Sequence, residues 1–117
     1  LSDETIAEIG RRGGIVGLNL VRNFIRAGLN RVDTNDRPSI DEAALHVVQV
    51  CGVMGHRRGV GLGSDMVGRI KATHLPRGID SPSDLPKLCD ALSARGWSDE
   101  DVHGFAWANW ARFWGLE

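Results

Sequence analysis

The sequence predicts an α/β fold in which two parallel strands are connected and covered by four helices. Two short segments, near residues 15–21 and 59–64, are apolar at successive positions, which is typical of strands covered on both faces. Helical patterns precede, connect and follow them, and a helical crossover between two strands implies that the strands are parallel. Two strands leave open edges that four helices do not cover, so the sequence is typical of one part of a larger α/β fold.

The first helix is predicted near residues 3–12. Ser2 is suited to cap its first turn, acidic residues follow where the helix dipole favours them, and Gly13 ends the helical pattern. The first strand begins almost directly afterwards. Residues 22–38 are polar and rich in Asn and Asp, and a connection of that length indicates either a function or a short helix.

The second helix, near residues 40–54, has the clearest start signal in the chain. Ser39 and Glu42 have the spacing of a capping box, in which each side chain bonds to the backbone N–H of the other residue. Apolar residues then recur at helical spacing as far as Gly55. The second strand follows this helix.

Two further helices are predicted near residues 84–95 and 99–114. Ser83 is the predicted cap of the first and Gly96 its end, whereas Ser98 is the predicted cap of the second. The stretch between the second strand and Ser83 carries no period, which predicts a loop.

An amide, Asn109, lies within the apolar face of the last helix. Burying an amide is costly unless it bonds to backbone, so we expect Asn109 to be a structural tie to the end of a loop.

Four tryptophans share this end of the chain: Trp97, Trp107, Trp110 and Trp114. Because no basic residues alternate with them, they indicate a core or an inter-subunit patch rather than a stacking surface.

Composition and charge are those of an ordinary globular domain. The net charge is −1, with 14 basic and 15 acidic residues and no long block of either sign, so neither a nucleic acid nor a membrane surface is expected as a partner. No apolar run approaches the roughly 20 residues of a membrane helix and no signal-peptide pattern is present, which favours a soluble, cytoplasmic protein over a secreted one.

Cys51 and Cys89 are expected to be reduced thiols. Leu1 stands in place of a start methionine beside a helix cap, which suggests a chain that begins within a fold.

Residues 59–68, GVGLGSDMVG, raise the question of a phosphate-binding loop. Such a loop needs Lys and then Ser or Thr where this chain has Arg69 and Ile70, and a dinucleotide-binding motif needs glycine at Met66. The alternating glycines instead leave room for neighbouring side chains or a ligand. Asp65 follows this strand, at the end that faces the active site in parallel α/β folds. Asp65 is therefore either a catalytic acid or the cap of a turn.

The four histidines have none of the spacings of a metal site, so the chain by itself presents no complete set of metal ligands. His74 lies in the loop after Asp65 and is a candidate for lining a site. The other three histidines carry no such indication.

Three segments carry a family resemblance: LSDETIAEIGRRGGIVGLNL, SIDEAALHVVQVCGVMGHRRGVGLGSDM and LPRGIDSPSDLPKLCDALSARGWSDEDVHGFAWANWARF. They are similar to the C-terminal part of the renal (membrane) dipeptidase family, which are zinc metallopeptidases of the amidohydrolase-like barrel type. The resemblance covers essentially all 117 residues.

The resemblance implies that residues 1–117 are the C-terminal part of one metallopeptidase domain, the last quarter of a (β/α)8 TIM-like barrel. It implies a hydrolase that cleaves dipeptides with water activated by a binuclear zinc site. The family's zinc ligands lie upstream of where this chain starts, so no zinc is expected in this segment and the segment alone is expected to be inactive. Asp65 takes the position of the family's catalytic acid, which would contact the substrate's amino end or pass a proton to the leaving amine. Asn19 and Asn23 are suggested to line the substrate pocket.

The chain departs from the family motif at Val67, where a second acid usually stands. A second hypothesis is a non-catalytic α/β interaction module that associates through its strand edges and tryptophans. Because open strand edges promote association, a homo-oligomer is expected under either hypothesis.

Overall fold

The structure is a computed structural model that describes residues 1–29, 35–66 and 68–116. These residues form two short parallel strands and six α-helices. Val67, where the family acid is replaced, lies outside the described residues. The elements in chain order are α1 Asp3–Arg11, β1 Val16–Leu18, α2 Arg22–Ile25, α3 Ile40–Met54, β2 Val60–Leu62, α4 Pro86–Ala94, α5 Asp99–His103 and α6 Asn109–Phe113.

The two strands pair in parallel, with residues 16–18 opposite residues 60–62. The predicted parallel arrangement is confirmed, but both strands are shorter than the predicted spans 15–21 and 59–64. The first strand ends early because the Asn19 side chain accepts a hydrogen bond from the Val21 N–H at 2.8 Å, which turns the chain toward α2. That short helix fills part of the polar connection between the first strand and α3.

The crossover helix α3 has the predicted bounds and the predicted capping box, with Ser39 and Glu42 each bonded to the other's backbone. Glu42 also accepts two hydrogen bonds from Arg26, at 2.8 and 2.6 Å. These bonds, Arg26 first and the Ser39 backbone second, lower the pKa of Glu42 to about 2. Both side chains are more than one third exposed, so the ion pair mainly orients α2 against α3 and adds little stability.

The predicted helix near 84–95 begins two residues later than expected. Residues 82–84 form a 3-10 turn, and α4 starts at Pro86, where a residue without an N–H is tolerated. Ser83 does not cap this helix, because its hydroxyl bonds to the hydroxyl of Ser81. The predicted end is confirmed, since Gly96 has a φ of +86°, which favours glycine.

The last predicted helix, near 99–114, is interrupted. Ser98 caps α5 as predicted, but residues 104–108 form a π-helical turn before α6. In that turn the Asn109 N–H bonds to the carbonyl of Gly104, five residues earlier. A Cβ at Gly104 would lie 3.0 Å from the Asn109 side-chain oxygen, so glycine makes room for the amide.

The core lies between α3, the strands and the C-terminal helices. Its fully buried members include Leu20, Val47, Val60, Leu92 and Phe105. Cys51 and Cys89 are both free thiols, and burial raises the pKa of Cys51 to about 11. None of the helices in the described ranges combines the length and apolarity that crossing a membrane requires. A cytoplasmic location stays a prediction.

Candidate active site

The carboxyl ends of the two strands bring two predicted site residues together. Asn19 follows β1 directly and Asp65 follows β2 after a short connection. The Asn19 side-chain N–H donates to a carboxylate oxygen of Asp65 at 3.3 Å. Asn19 therefore has two roles, because its side-chain oxygen holds the turn after β1 while its amide faces the acid.

Asp65 has an unusual backbone conformation. Its φ is +58°, and among the described residues it is the one non-glycine with a positive φ. Asp and Asn tolerate this left-handed region better than most residues, and such conformations cluster at functional sites. The carboxylate is exposed to solvent, so it is accessible to a substrate and can accept or donate a proton.

The C-terminal helix fixes the strand that carries Asp65. The side-chain amide of Asn109, only 3% exposed, donates to the carbonyls of Arg57 and Val60 at 3.0 and 2.8 Å. The neighbouring Trp110 donates from its indole N–H to the carbonyl of Leu62 at 2.9 Å. The predicted role of Asn109 as a tie to a loop end is thus confirmed, and the tie extends along β2.

The strand glycines are explained by the same helix. A Cβ at Gly61 would lie within 2.8 Å of the Trp110 Cδ1 atom, and a Cβ at Gly17 would lie 3.4 Å from the far edge of that ring. The sequence predicts that these glycines leave room either for a neighbouring side chain or for a ligand. At Gly61 the structure shows a neighbouring side chain, that of Trp110.

The other two candidates, Asn23 and His74, are less closely tied to Asp65. Asn23 lies in α2 and is half-buried, and His74 ends a 3-10 turn in which its Nδ1 accepts from the Lys71 N–H at 3.1 Å. Within the described ranges, neither side chain hydrogen-bonds to Asp65. Their positions stay predictions for the lining of a pocket.

Sequence reasoning missed Arg22, which is only 6% exposed. Its guanidinium donates to the carbonyls of Asp36 and Thr73, at 3.2 and 3.3 Å. It thereby connects α2, which carries Asn23, to the residue that precedes His74. The sequence does show that Arg22 directly follows an apolar strand. It does not show the carbonyl groups that Arg22 binds, because these lie far away in the sequence.

A metal centre is not apparent in the part of the chain that the structure describes. There, no three His, Cys, Asp or Glu side chains are grouped closely enough to hold a metal ion. The residues present therefore do not offer the donor set that zinc requires.

Comparison with known proteins identifies the family of this chain. The sequence model of the membrane dipeptidase family, peptidase family M19, matches residues 1–116. The chain belongs to this family. The family resemblance inferred from the three sequence segments is thus confirmed.

Relatives within the family extend well beyond the length of this chain. An uncharacterized dipeptidase of Schizosaccharomyces pombe is 31% identical over 113 residues, which are 96% of this chain and 25% of that protein. The crystal structure of dipeptidase AC, an M19 metallopeptidase, is 28% identical with a TM-score of 0.78, over 99% of this chain and 31% of that one. A metallopeptidase of Rhodobacter sphaeroides was solved with a phosphinate mimic of the dipeptide L-Ala-D-Ala. It is 28% identical with a TM-score of 0.79, over 99% of this chain and 30% of that one.

These similarities cover both strands and the helices packed on them. The predicted α/β class, with a small parallel sheet, is therefore shared with the M19 dipeptidase structures. The chain spans a quarter of the Schizosaccharomyces pombe protein and about a third of each of these two solved structures.

Proposed function

We propose that this chain contributes one part of a dipeptidase active site, in which Asp65 transfers a proton during hydrolysis of the peptide bond. The observation that carries this proposal is the hydrogen bond between Asn19 and Asp65 at the shared carboxyl end of the strands. Family membership supports dipeptides as the substrate class. The dipeptide mimic in the Rhodobacter sphaeroides enzyme supports it further.

Asp65 is suited to this role because its carboxylate is exposed, oriented by one amide donor and attached to a strand fixed by Asn109 and Trp110. A proton-transfer group acts only within hydrogen-bond reach of the reacting atom, so its position must be held. We assign to Asp65 delivery of a proton to the leaving amine. Asn23 and His74 are proposed to line the pocket for the dipeptide.

The sheet and its helices are proposed to form the last quarter of a (β/α)8 barrel. The parallel register of β1 and β2 and the helical crossover α3 support this architecture. The small share of the relatives' length that the chain spans supports it as well. Barrel strands would pair with both outer edges of the two-stranded sheet.

Zinc is proposed as the metal of the whole enzyme, bound by residues outside this chain. The described residues lack a suitable cluster of donors, so no step of the reaction is assigned to zinc. What this chain supplies is the positioned carboxylate.

The purified 117-residue chain is expected to hydrolyse no dipeptide, even with zinc added, because its described residues hold no cluster of metal ligands to bind the zinc that would activate water. The measurement is release of amino acids from L-Ala-D-Ala, compared with that by a longer protein that contains this chain and an upstream H-x-D motif, Glu and two His. Turnover by the chain alone would contradict the proposed division of the site. Inactivity of the longer protein would contradict the dipeptidase function itself.

A second candidate function is association through the open edge of β1. A cavity of about 300 Å³ lies along this edge, and it is lined mainly by apolar side chains that include Val16, Phe24 and Val50. Phe24 is 62% exposed, so its ring adds apolar surface beside this edge. The cavity favours an apolar partner, and a second copy of the chain offers the same open edge.

The chain is therefore expected to self-associate, and Phe24→Glu is expected to shift it toward the monomer by placing a charge in the apolar cavity. The measurement is molar mass by light scattering over a range of concentrations. Leu45→Glu is the matched control, since Leu45 is 42% exposed on α3 outside this cavity. A wild-type chain that stays monomeric at high concentration would contradict the second function.

A further inference from the structure

The turn after β1 holds Asn19 in one place. Leu18 and Leu20, on either side of it in the chain, are both buried, and Leu20 is fully enclosed by the core. The pairing of the two strands also continues beyond β2, because the Gly63 N–H donates to the carbonyl of Leu18 at 3.0 Å. The backbone of Asn19 is therefore fixed next to the segment that carries Asp65.

The orientation of the Asn19 side chain follows from its two hydrogen bonds. The Val21 N–H is a donor, so the group that faces it at 2.8 Å must be the amide oxygen. The amide nitrogen consequently points away from Val21, and it donates to Asp65 at 3.3 Å. The amide thus provides an acceptor and a donor at the same time, which a carboxylate cannot do.

Asn19 is largely engaged within the protein. Its oxygen and one of its two side-chain N–H groups have protein partners, which leaves a single N–H for any other molecule. The family resemblance suggests that Asn19 lines the substrate pocket. The hydrogen bonds indicate instead a residue that acts on Asp65.

The two carboxylate oxygens of Asp65 differ in their surroundings. Oδ2 accepts from the Asn19 amide, whereas Oδ1 makes no hydrogen bond with the residues that the structure describes. An oxygen that takes up a proton becomes a weaker acceptor, so the bond to Oδ2 favours the proton on Oδ1. Because the Asp65 side chain is otherwise exposed, the Asn19 amide is the group in the described ranges that distinguishes the two oxygens.

We propose that Asn19 is a positioning residue, which orients the carboxyl group of Asp65 and leaves Oδ1 as the oxygen that transfers the proton. This role rests on the proposed function of Asp65 and makes that function depend on the turn after β1. A proton-transfer group must lie within hydrogen-bond reach of the reacting atom, so the choice of oxygen affects the rate. Since Asn19 acts through Asp65, its effect is expected in kcat.

The first test is Asn19→Asp in a dipeptidase that contains this chain. Asp keeps an oxygen for the Val21 N–H but offers no donor to Asp65, so the turn is retained while the orienting bond is lost. We expect kcat for L-Ala-D-Ala to fall about tenfold, the effect of one hydrogen bond to a charged group, with little change in KM. A wild-type kcat would overturn the positioning role.

Gln49→Glu is the matched control for this variant. It makes the same change from amide to carboxylate at an exposed position of α3, and it is expected to have the kcat of the wild type. An equal loss of kcat in Asn19→Asp and Gln49→Glu would show a general effect of added negative charge and would also overturn the positioning role.

A double-mutant cycle separates positioning from a purely structural role. In an Asp65→Asn background there is no carboxylate to orient, so Asn19→Asp should lower the remaining kcat much less than it does in the wild type. The same tenfold loss in both backgrounds would mean that Asn19 acts independently of Asp65, which contradicts the proposal. Unchanged turnover in Asp65→Asn alone would refute the proposed function of Asp65 instead, and the positioning role with it.

The contact can also be measured without activity, in the purified 117-residue chain. The side-chain NH2 resonances of Asn19 in NMR spectra are expected to shift in Asp65→Gly, which removes the carboxylate and accommodates the φ of +58°. The side-chain resonances of Gln49 are expected to stay unchanged. Asn19 resonances that do not move would refute the hydrogen bond itself, whatever the activity of the variants.

Discussion

Replacing Asp65 by Asn in a dipeptidase that contains this chain is expected to lower turnover by at least about 100-fold, which is the usual scale for a proton-transfer group. Asn has nearly the same shape as Asp and tolerates the φ of +58° that position 65 adopts. It can also still accept the hydrogen bond from the Asn19 amide. The substitution therefore removes the titratable group while it preserves the local structure.

The measurement is kcat and KM for a dipeptide, with circular dichroism as the check on folding. A loss in kcat with little change in KM is expected, because the proton is transferred in the transition state. Asp90→Asn is the matched control, since Asp90 is an exposed carboxylate on α4, away from the strand ends. Unchanged turnover in Asp65→Asn would remove this residue from the mechanism and leave it as the cap of a turn.

Local signals in the sequence were sufficient for most of the fold. The capping box at Ser39 and Glu42 predicts α3 correctly, and the two apolar segments predict a parallel pair of strands at the observed places. The errors lie at element ends and inside the last helix. At the end of β1 the Asn19 side chain bonds to the Val21 N–H, and inside the last helix residues 104–108 form a π-helical turn.

The candidate site could be predicted only in part, because its contacts join distant positions. Asp65 is predicted from its place after the second strand, whereas Asn19 lies within the predicted first strand and is suggested only by the family resemblance. The parallel pairing of the strands brings the two residues together. The partners of Arg22 are carbonyl groups, which every residue has, so no sequence pattern identifies them. Gly61 leaves room for the ring of Trp110, which is distant in the sequence. The local glycine pattern therefore does not predict this contact.

The contact between Gly61 and Trp110 predicts a large loss of stability for Gly61→Ala. The added methyl group would meet the indole ring, which cannot move away without breaking its hydrogen bond to the Leu62 carbonyl. Overpacking costs about 1–3 kcal/mol and a lost hydrogen bond about 1 kcal/mol more. The free energy of unfolding, measured by urea denaturation of the purified chain, is therefore expected to fall by about 2–4 kcal/mol.

Gly52→Ala is the matched control for that substitution. Gly52 lies inside α3, and a Cβ there would meet nothing within 4 Å, so Ala is expected to stabilise the chain by roughly 0.5–1 kcal/mol through its better helix propensity. If Gly61→Ala were as stable as the wild type, the packing of the indole against β2 would be refuted.

Trp110→Leu supplies the second test of the same contact, because a smaller side chain leaves room for a methyl group at position 61. Alone, Trp110→Leu is expected to destabilise the chain, since it removes the indole and its bond to Leu62. In that background, however, Gly61→Ala should cost much less than it does in the wild type, which gives a coupling energy of at least about 1 kcal/mol. Additive effects would mean that the two residues do not meet. Coupling of this size would show that glycine stands at position 61 because the C-terminal helix needs that space to hold the strand that carries Asp65.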